Sequence, residues 1–465
     1  MRIIGLFILV LAKFYVVAQN FVHIDLITIE GNQRTKEAII LRELQFKQGD
    51  SLDINSLPTV LKESEQMVMN TSMFNKATIQ TTAPDTFSPN HLTVKIKVEE
   101  TWYIYPVPYF ELADRNFNVW WVEQNRSLQR VNFGSDFTHL NISGRADRLK
   151  IGAKYGYTHS YSFGYSLPYI NKKQTIGLSA DVSFARNREV NYATEGNKQL
   201  FFKDDNQFLY TRFRAETALT YRPGLRTFHR VFLSYHHNTI SDSIATVLNP
   251  HFFQQGESLQ RYLSLAYQFT FDSRDVRPYP MAGNYISVRL ERDGLGLSDD
   301  RNSLILSAYF DKYYTLSPRF SVAFKTGGKA SLVRCQQPYN DNRALGFGKN
   351  SLHGYDYYVI DGMDMGFFKT NVRFKLLEKG INFGKMMPVK QFRSMPVKVF
   401  LGVNNDMGFV HEPYSEYNNP FVNRLLWGGG VGLDFVFFYD KVLQLEYSFN
   451  HLLEKGLFLH LNLNI

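Results

Sequence analysis

The sequence predicts a mainly β protein, a transmembrane antiparallel β-barrel of about 16 strands behind a small N-terminal α+β domain of β-α-α-β-β order. Three observations carry this. From Trp102 onward, apolar and polar residues alternate with the period of a strand and go on doing so to the C-terminus. Aromatic residues make up 15% of 465 residues, yet the mean hydropathy is only -0.27, so 39 Phe and 28 Tyr must be interleaved with polar residues. Beyond the first 20 residues, no segment approaches the ~18 consecutive apolar residues that a spanning helix requires.

Taken in order, residues 1–20 read as a signal peptide: Arg2 gives the positive start, Ile3 to Ala12 the apolar stretch and Val16-Val17-Ala18 a small-residue exit, with Lys13 an irregularity. The single cysteine, Cys335, is far from that exit, so no lipid anchor is expected, and one cysteine excludes a disulfide framework or a multi-cysteine zinc site. Residues 21–101 form the small domain. Ile24, Leu26 and Thr28 alternate with Asp25, Ile27 and Ile29 up to a stop at Gly31-Asn32. Thr35 is the expected N-cap of a helix with Ile40, Leu41 and Leu44 on its apolar face. A second helix is predicted from Leu57 to Met69, with Pro58 in its first turn and Leu57, Val60, Leu61 and Val68 inward. Two strands close the unit, the clearer with Leu92, Val94, Ile96 and Val98 on one face.

Residues 102–465 are the barrel. Leu263, Leu265, Tyr267, Phe269 and Phe271 line one face against Ser264, Gln268, Thr270 and Asp272, and Phe368, Val372, Phe374 and Leu376 alternate with Lys369, Asn371, Arg373 and Lys375. A soluble β-sandwich also alternates, so strand number, strand length and loop asymmetry decide between the two. Tight turns at Tyr157 to Ser160, Ser317-Pro318 and Tyr439-Asp440 are expected on one side, and long polar loops near 191–206, 240–258, 334–362 and 410–424 on the other. Closure removes the edges that so many apolar strands would otherwise expose.

The formal net charge of +9 is uneven. Residues 22–100 carry 8 basic and 11 acidic side chains, whereas residues 101–465 carry +10, scattered through every segment. A nucleic-acid footprint would cluster, so no nucleic-acid partner is expected; scattered basic residues suit a polar interior or anionic lipid head groups. Signals for an enzyme are poor. His236-His237 on a strand point to opposite faces and make a poor metal pair with Asp242, Gly327-Gly328-Lys329 lacks the rest of a phosphate loop, and Cys335 has no base. No catalytic residue, metal or cofactor is expected.

Ile27 to Leu44 (ITIEGNQRTKEAIILREL), followed by a barrel, resembles the opening of a polypeptide-transport-associated (POTRA) domain in the BamA/TamA superfamily of outer-membrane assembly factors. Phe271 to Leu290 (FDSRDVRPYPMAGNYISVRL) is similar to that family's strand end and turn, through Asp272, Arg274, Pro280 and Gly283. Leu352-His353-Gly354-Tyr355 resembles its Val-Arg-Gly-Phe/Tyr motif, carried on a loop that folds back into the barrel. The resemblance implies that acidic wall residues hold the motif's arginine, and Asp406 of Asn405-Asp406-Met407-Gly408 looks like one of them. Here His353 replaces the arginine, and Asn371 stands where many relatives have Glu. A histidine cannot offer the guanidinium fork but can still bond Asp406, which implies a weaker, more pH-sensitive latch.

The resemblance further implies an outer-membrane location with the N-terminal domain in the periplasm. Its partners would be membrane lipids, unfolded outer-membrane protein clients, and periplasmic chaperones or accessory lipoproteins. A secretion transporter dedicated to one partner and a passive porin are the alternatives, although a porin needs no POTRA domain. The first barrel strand, Tyr103 to Glu111, holds Pro106 and Pro108, whose missing donors fall on a single ladder. These are expected to face the last strand, with Leu457, Leu459, Leu461, Leu463 and Ile465, and to leave a weakly bonded seam; a local distortion of the sheet is the alternative.

Overall fold

The computed structural model describes residues 21–82, 90–296, 301–386, 394–415, 418–437 and 441–463. The expected signal peptide, the Tyr439-Asp440 turn and Ile465 lie outside the described residues.

The N-terminal domain comprises β1 (Phe21–Glu30), α1 (Glu37–Leu41), β2 (Ser51–Asp53), α2 (Leu57–Met69), β3 (Phe74–Thr82) and β4 (His91–Glu100). Its sheet has the order β2-β1-β4-β3, with β1 parallel to β4. Ile24, Ile40, Phe46, Val68, Val94 and Ile96 fill its core. Gly31 turns the chain with φ +93°, where a Cβ would collide with the Val98 carbonyl oxygen.

Three local expectations are corrected. A bulge between Ile24 and Leu26 shifts the register of β1. Leu26 is therefore exposed, while Ile27 and Ile29 pack on the core. The short β2 appears where no strand was expected, so the order is β-α-β-α-β-β. Thr35 does not cap α1, whose N-cap is Lys36 without a side-chain bond. Its hydroxyl instead meets Tyr103 Oη at 2.8 Å and accepts from Asn141 Nδ2 at 2.9 Å, both from the barrel side of the chain.

The barrel begins with β5 (Ile104–Leu112), β6 (Val131–Leu140), β7 (Arg148–Gly156), β8 (Thr158–Leu167) and β9 (Ile176–Asn187). A hairpin, β10 (Glu189–Glu195) with β11 (Lys198–Lys203), stands outside the main sheet where a polar loop was expected. Next come β12 (Tyr210–Tyr221), β13 (Thr227–Ile240), β14 (Leu259–Asp272), β15 (Gly283–Asp293), β16 (Ser303–Thr315) and β17 (Phe320–Ser331). The loop after β17 holds the small pair β18 (Arg343–Leu345) and β19 (Ile360–Asp361). The main sheet resumes with β20 (Asp364–Asn382), β21 (Ser394–His411), β22 (Leu425–Phe437), β23 (Lys441–Asn450) and β24 (Lys455–Leu463). These make one antiparallel sheet of 16 strands running from β5 to β24.

Exposure separates a membrane barrel from a soluble sandwich. Leu265 and Val372 are 44% and 43% exposed, while their strand neighbours Ser264 and Arg373 are 2% and 7% exposed. The apolar face thus looks outward and the polar face inward, the reverse of a soluble core and the arrangement that lipid demands. One turn departs from expectation. Tyr157 closes β7 to β8 at the end remote from the N-terminal domain, because turns at the near end, including those at 141–147, 168–175, 222–226 and 273–282, touch that domain instead.

Candidate functional site

Two features of the barrel bring sequence-predicted residues together: the loop between β17 and β20, and the two ends of the sheet. Leu345, Leu352, Tyr355 and Ile360 of the loop are buried in one apolar cluster with Val410, Phe421 and Leu426. This cluster seats the loop against β21 and β22 and fixes His353 where its ring reaches two wall carboxylates. Nδ1 lies 2.6 Å from Asp406 Oδ2 on β21, and Nε2 lies 3.2 Å from Glu446 Oε2 on β23. The His353 backbone N–H also donates to Asp406 at 3.1 Å.

A doubly protonated imidazole donates from both nitrogens, so His353 replaces the two-pronged fork of an arginine with two single bonds in opposite directions. Burial alone would lower its pKa, but the adjacent Asp406 and Glu446 outweigh burial and hold it up to about 10. Folded, the latch therefore stays charged through neutral pH, and its contribution to stability falls as pH rises from about 6.5 toward about 10.

Close backbone approach completes the seat. Gly354 adopts φ +81°, and a Cβ there would strike the Phe449 carbonyl; a Cβ on Gly428 would strike the His353 carbonyl. Asn450 Nδ2 donates to Gly354 O at 3.0 Å, and the Tyr355 hydroxyl donates to Trp427 O at 3.1 Å.

Asn371 does not touch His353. It bonds Asn404, which donates to Glu446 Oε2 at 3.0 Å, and it accepts from Arg373 Nε. Arg373 in turn donates to Pro280 O at 2.9 Å and lies over the Tyr279 ring at 4.3 Å. A polar chain thus joins the latch to the β14–β15 turn. In that turn Asp272 holds Arg274 at 2.8 Å and Arg277 at 3.1 Å, and Gly283 takes φ +101° against the Ser273 carbonyl. Glu446 escaped sequence reading because it is one more polar residue in the alternation of β23.

Among the described residues no ladder joins β5 to β24. Leu140 N–H donates to Tyr103 O, and Ala113 N–H to Arg130 O, so the odd-numbered peptide groups of β5 face β6. The even-numbered groups, Pro106 and Pro108 among them, face away from it, toward the free side of the sheet. On β24 the C=O of Leu457 and the N–H of Leu459 meet one side chain, Asn118, from the loop between β5 and β6: Nδ2 donates to Leu457 O at 2.5 Å, and Oδ1 accepts from Leu459 N at 3.4 Å. No sequence signal marked Asn118. Leu461 and Leu463 continue the same edge.

The N-terminal domain is clasped to the barrel by a buried ion pair. Arg222 Nη1 and Nη2 lie 2.5 and 2.7 Å from the two oxygens of Glu43. Arg42 Nε donates to Gln174 O at 2.6 Å, and Arg226 pairs with Glu63 at 2.6 Å. Elsewhere, His236 stacks on Tyr262 with centroids 4.6 Å apart, Cys335 is exposed, and among the described residues no group of His, Cys, Asp and Glu gathers as a metal site.

A family model described as Omp85 superfamily domain matches residues 141–371, and a POTRA model described as surface antigen variable number repeat matches residues 22–101. No curated protein sequence matches the chain. Among solved structures, BamA from Haemophilus ducreyi lacking POTRA domains 1–3 is similar at 13% identity and a TM-score of 0.54, covering 95% of this chain and 84% of that one. CdiB from Escherichia coli is similar at 11% identity and a TM-score of 0.58, covering 95% and 76%. CdiB from Acinetobacter baumannii is similar at 12% identity and a TM-score of 0.51, covering 96% and 74%. At these identities the likeness speaks for the fold. The barrel, the POTRA-type sheet and both family matches lead to one assignment: the chain belongs to the Omp85 superfamily and carries a POTRA domain ahead of its β-barrel.

Proposed function

We propose that this protein is an outer-membrane assembly factor of the BamA/TamA type, receiving unfolded outer-membrane protein clients through its POTRA domain and inserting them at the seam between β5 and β24. One observation carries the reading: the two end strands share no ladder among the described residues, and β5 turns two prolines toward its free side. A strand edge with unspent N–H and C=O groups is a template for a second strand. Strand exchange of this kind needs no cofactor, nucleotide or enzymatic step. The outward apolar face meets membrane lipid, the POTRA domain lies in the periplasm, and chaperones or accessory lipoproteins hand clients to it there. The inward loop, latched through His353, argues against a passive porin, because it occupies the lumen side of the wall.

The test is a seam lock. In a Cys335→Ser background, cysteines at facing positions of β5 and β24 are oxidised in cells, and newly assembled outer-membrane proteins are measured. Loss of assembly that returns on reduction is expected; normal assembly with the seam fully locked refutes the proposal. Depleting the protein and recording which outer-membrane proteins disappear identifies the clients.

A further inference from the structure

Strands β20 and β21 outrun their neighbours at the end of the barrel that carries the N-terminal domain. β17 pairs with β20 only as far as Phe320 opposite Phe374, and β22 pairs with β21 only as far as Phe437 opposite Val397. The two long strands go on pairing with each other to Asn382 opposite Ser394. Residues 375–382 alone extend roughly 25 Å at about 3.3 Å per residue. Arg373, at the root of this ribbon, donates to Pro280 O in a turn on the N-terminal-domain side, which fixes the end from which the ribbon emerges.

Its outer face continues the lipid-facing wall. Phe368 and Val372 of β20, with Leu401 and Val403 of β21, are exposed on the outside of the barrel. A bulge between Lys375 and Leu377 adds one residue, so Leu376 and Leu377 come out side by side, 50% and 49% exposed. Beyond it the outer series runs Leu377, Lys379 and Ile381, in step with Val399 and Val397 across the ribbon. Large aliphatic side chains exposed on a bare two-stranded ribbon lack the packing that such a ribbon needs in water. Charge points the same way. Residues 375–398 hold six basic side chains, Lys375, Lys379, Lys385, Lys390, Arg393 and Lys398, against one acidic, Glu378. Glu378 is held by Lys375 at 2.6 Å and Lys398 at 2.9 Å, and Lys379 forms no ion pair among the described residues.

We propose that the β20–β21 ribbon is a membrane-surface anchor. Its outer face lies on the periplasmic leaflet, with Leu376, Leu377 and Ile381 at the acyl boundary and Lys379 on the phosphate of an anionic phospholipid. A lysine suits that place because its stem packs with apolar neighbours while its head reaches the phosphate. The occupant is lipid, since the patch is continuous with the lipid-facing wall and its net charge is positive. This inference rests on the outer-membrane placement of the barrel and is independent of client insertion.

The test uses the full chain folded into phosphatidylcholine vesicles, in the Cys335→Ser background, with a fluorophore on Ile381→Cys or, as a reference on the wall, on Val403→Cys. Quenching by spin-labelled phosphatidylglycerol is compared with quenching by spin-labelled phosphatidylcholine, and heat-modifiable migration verifies folding of each variant. At residue 381 the expected preference for phosphatidylglycerol is about fivefold, the worth of one lysine near an anionic surface. Lys379→Gln should abolish that preference, as should salt at about 1 M, whereas Lys379→Arg should keep it. Equal quenching by the two lipids, or a preference that survives Lys379→Gln, overturns the inference. So does a fluorophore at residue 381 that neither lipid quenches, whether it stays in water or is shielded by a second copy in proportion to protein concentration. Absence of quenching at Val403→Cys as well refutes the membrane placement itself.

Discussion

Replacing His353 with alanine removes the cation between two carboxylates whose side chains have no exposed surface. Two bonds of 2.6 and 3.2 Å disappear, and Asp406 and Glu446 are left facing the same space. Removing one partner of a buried pair costs about 3–5 kcal/mol. The proton gives a second figure: raising the histidine from its ordinary 6.5 to about 10 is worth ~5 kcal/mol, at about 1.36 kcal/mol for each tenfold change in proton affinity. The two agree in scale. Because the folded pKa lies above the unfolded one, this stability is complete below about pH 6.5 and drains away as pH rises through about 10. The assay is the urea midpoint of the full chain in detergent micelles, followed by heat-modifiable migration, from about pH 6 to about pH 11. The unaltered chain should weaken steadily as pH rises from about 6.5 to about 10, with about half of this contribution left near pH 8, while His353→Ala should be weaker throughout and lack that fall. Paired with Asp406→Ala, the losses should be non-additive. An alanine variant as stable as the parent, or a parent whose midpoint stays level between about pH 6.5 and 10, would refute the reasoning.

Three further outcomes are expected. Arg222→Met strands Glu43 at the domain junction and should cost roughly 3 kcal/mol of docking, seen as faster proteolytic release of residues 21–101 with the barrel left intact. Gly428→Ala should unseat the inward loop, because the new methyl group meets the His353 carbonyl; the readout is labelling of a cysteine placed at Ser351. Replacing Pro106 and Pro108 together by valine restores two donors on the free side of β5 and should raise the unfolding midpoint while slowing client assembly, and an unchanged midpoint would show that no strand pairs there.

The barrel was legible because alternation is a local property: Ser264 beside Leu265, or Arg373 beside Val372, declares two faces without any knowledge of what lies across the sheet. What alternation cannot declare is which face is wet, and loop asymmetry supplied that. The bulge at Ile24 was hidden because Ile and Leu occupy both registers of β1, so either face looks apolar on paper. The β10–β11 hairpin read as a loop because its polar residues bond the 334–362 and 410–424 loops: Thr194 reaches Tyr339, and Asn197 reaches Asn419. His353 and Asp406 were found through a motif. Glu446 and Asn118 were not, since each acts through a partner far away in the chain, and neither stands out from its polar neighbours.

Four glycines in β22, at 428, 429, 430 and 432, have a mechanical consequence. With no side chains to brace either face, and with glycine's wide backbone freedom, this strand is the most easily bent part of the wall. It lies two strands from the free edge, so β23 and β24 form a narrow leaf attached along a compliant line. While the loop from β17 to β20 rests on Gly428, that line is splinted from inside; once the loop lifts, the leaf can swing with little loss of packing on the rest of the barrel. Amide hydrogen exchange should therefore be faster along β22 than along β14, and the gap should widen in His353→Ala.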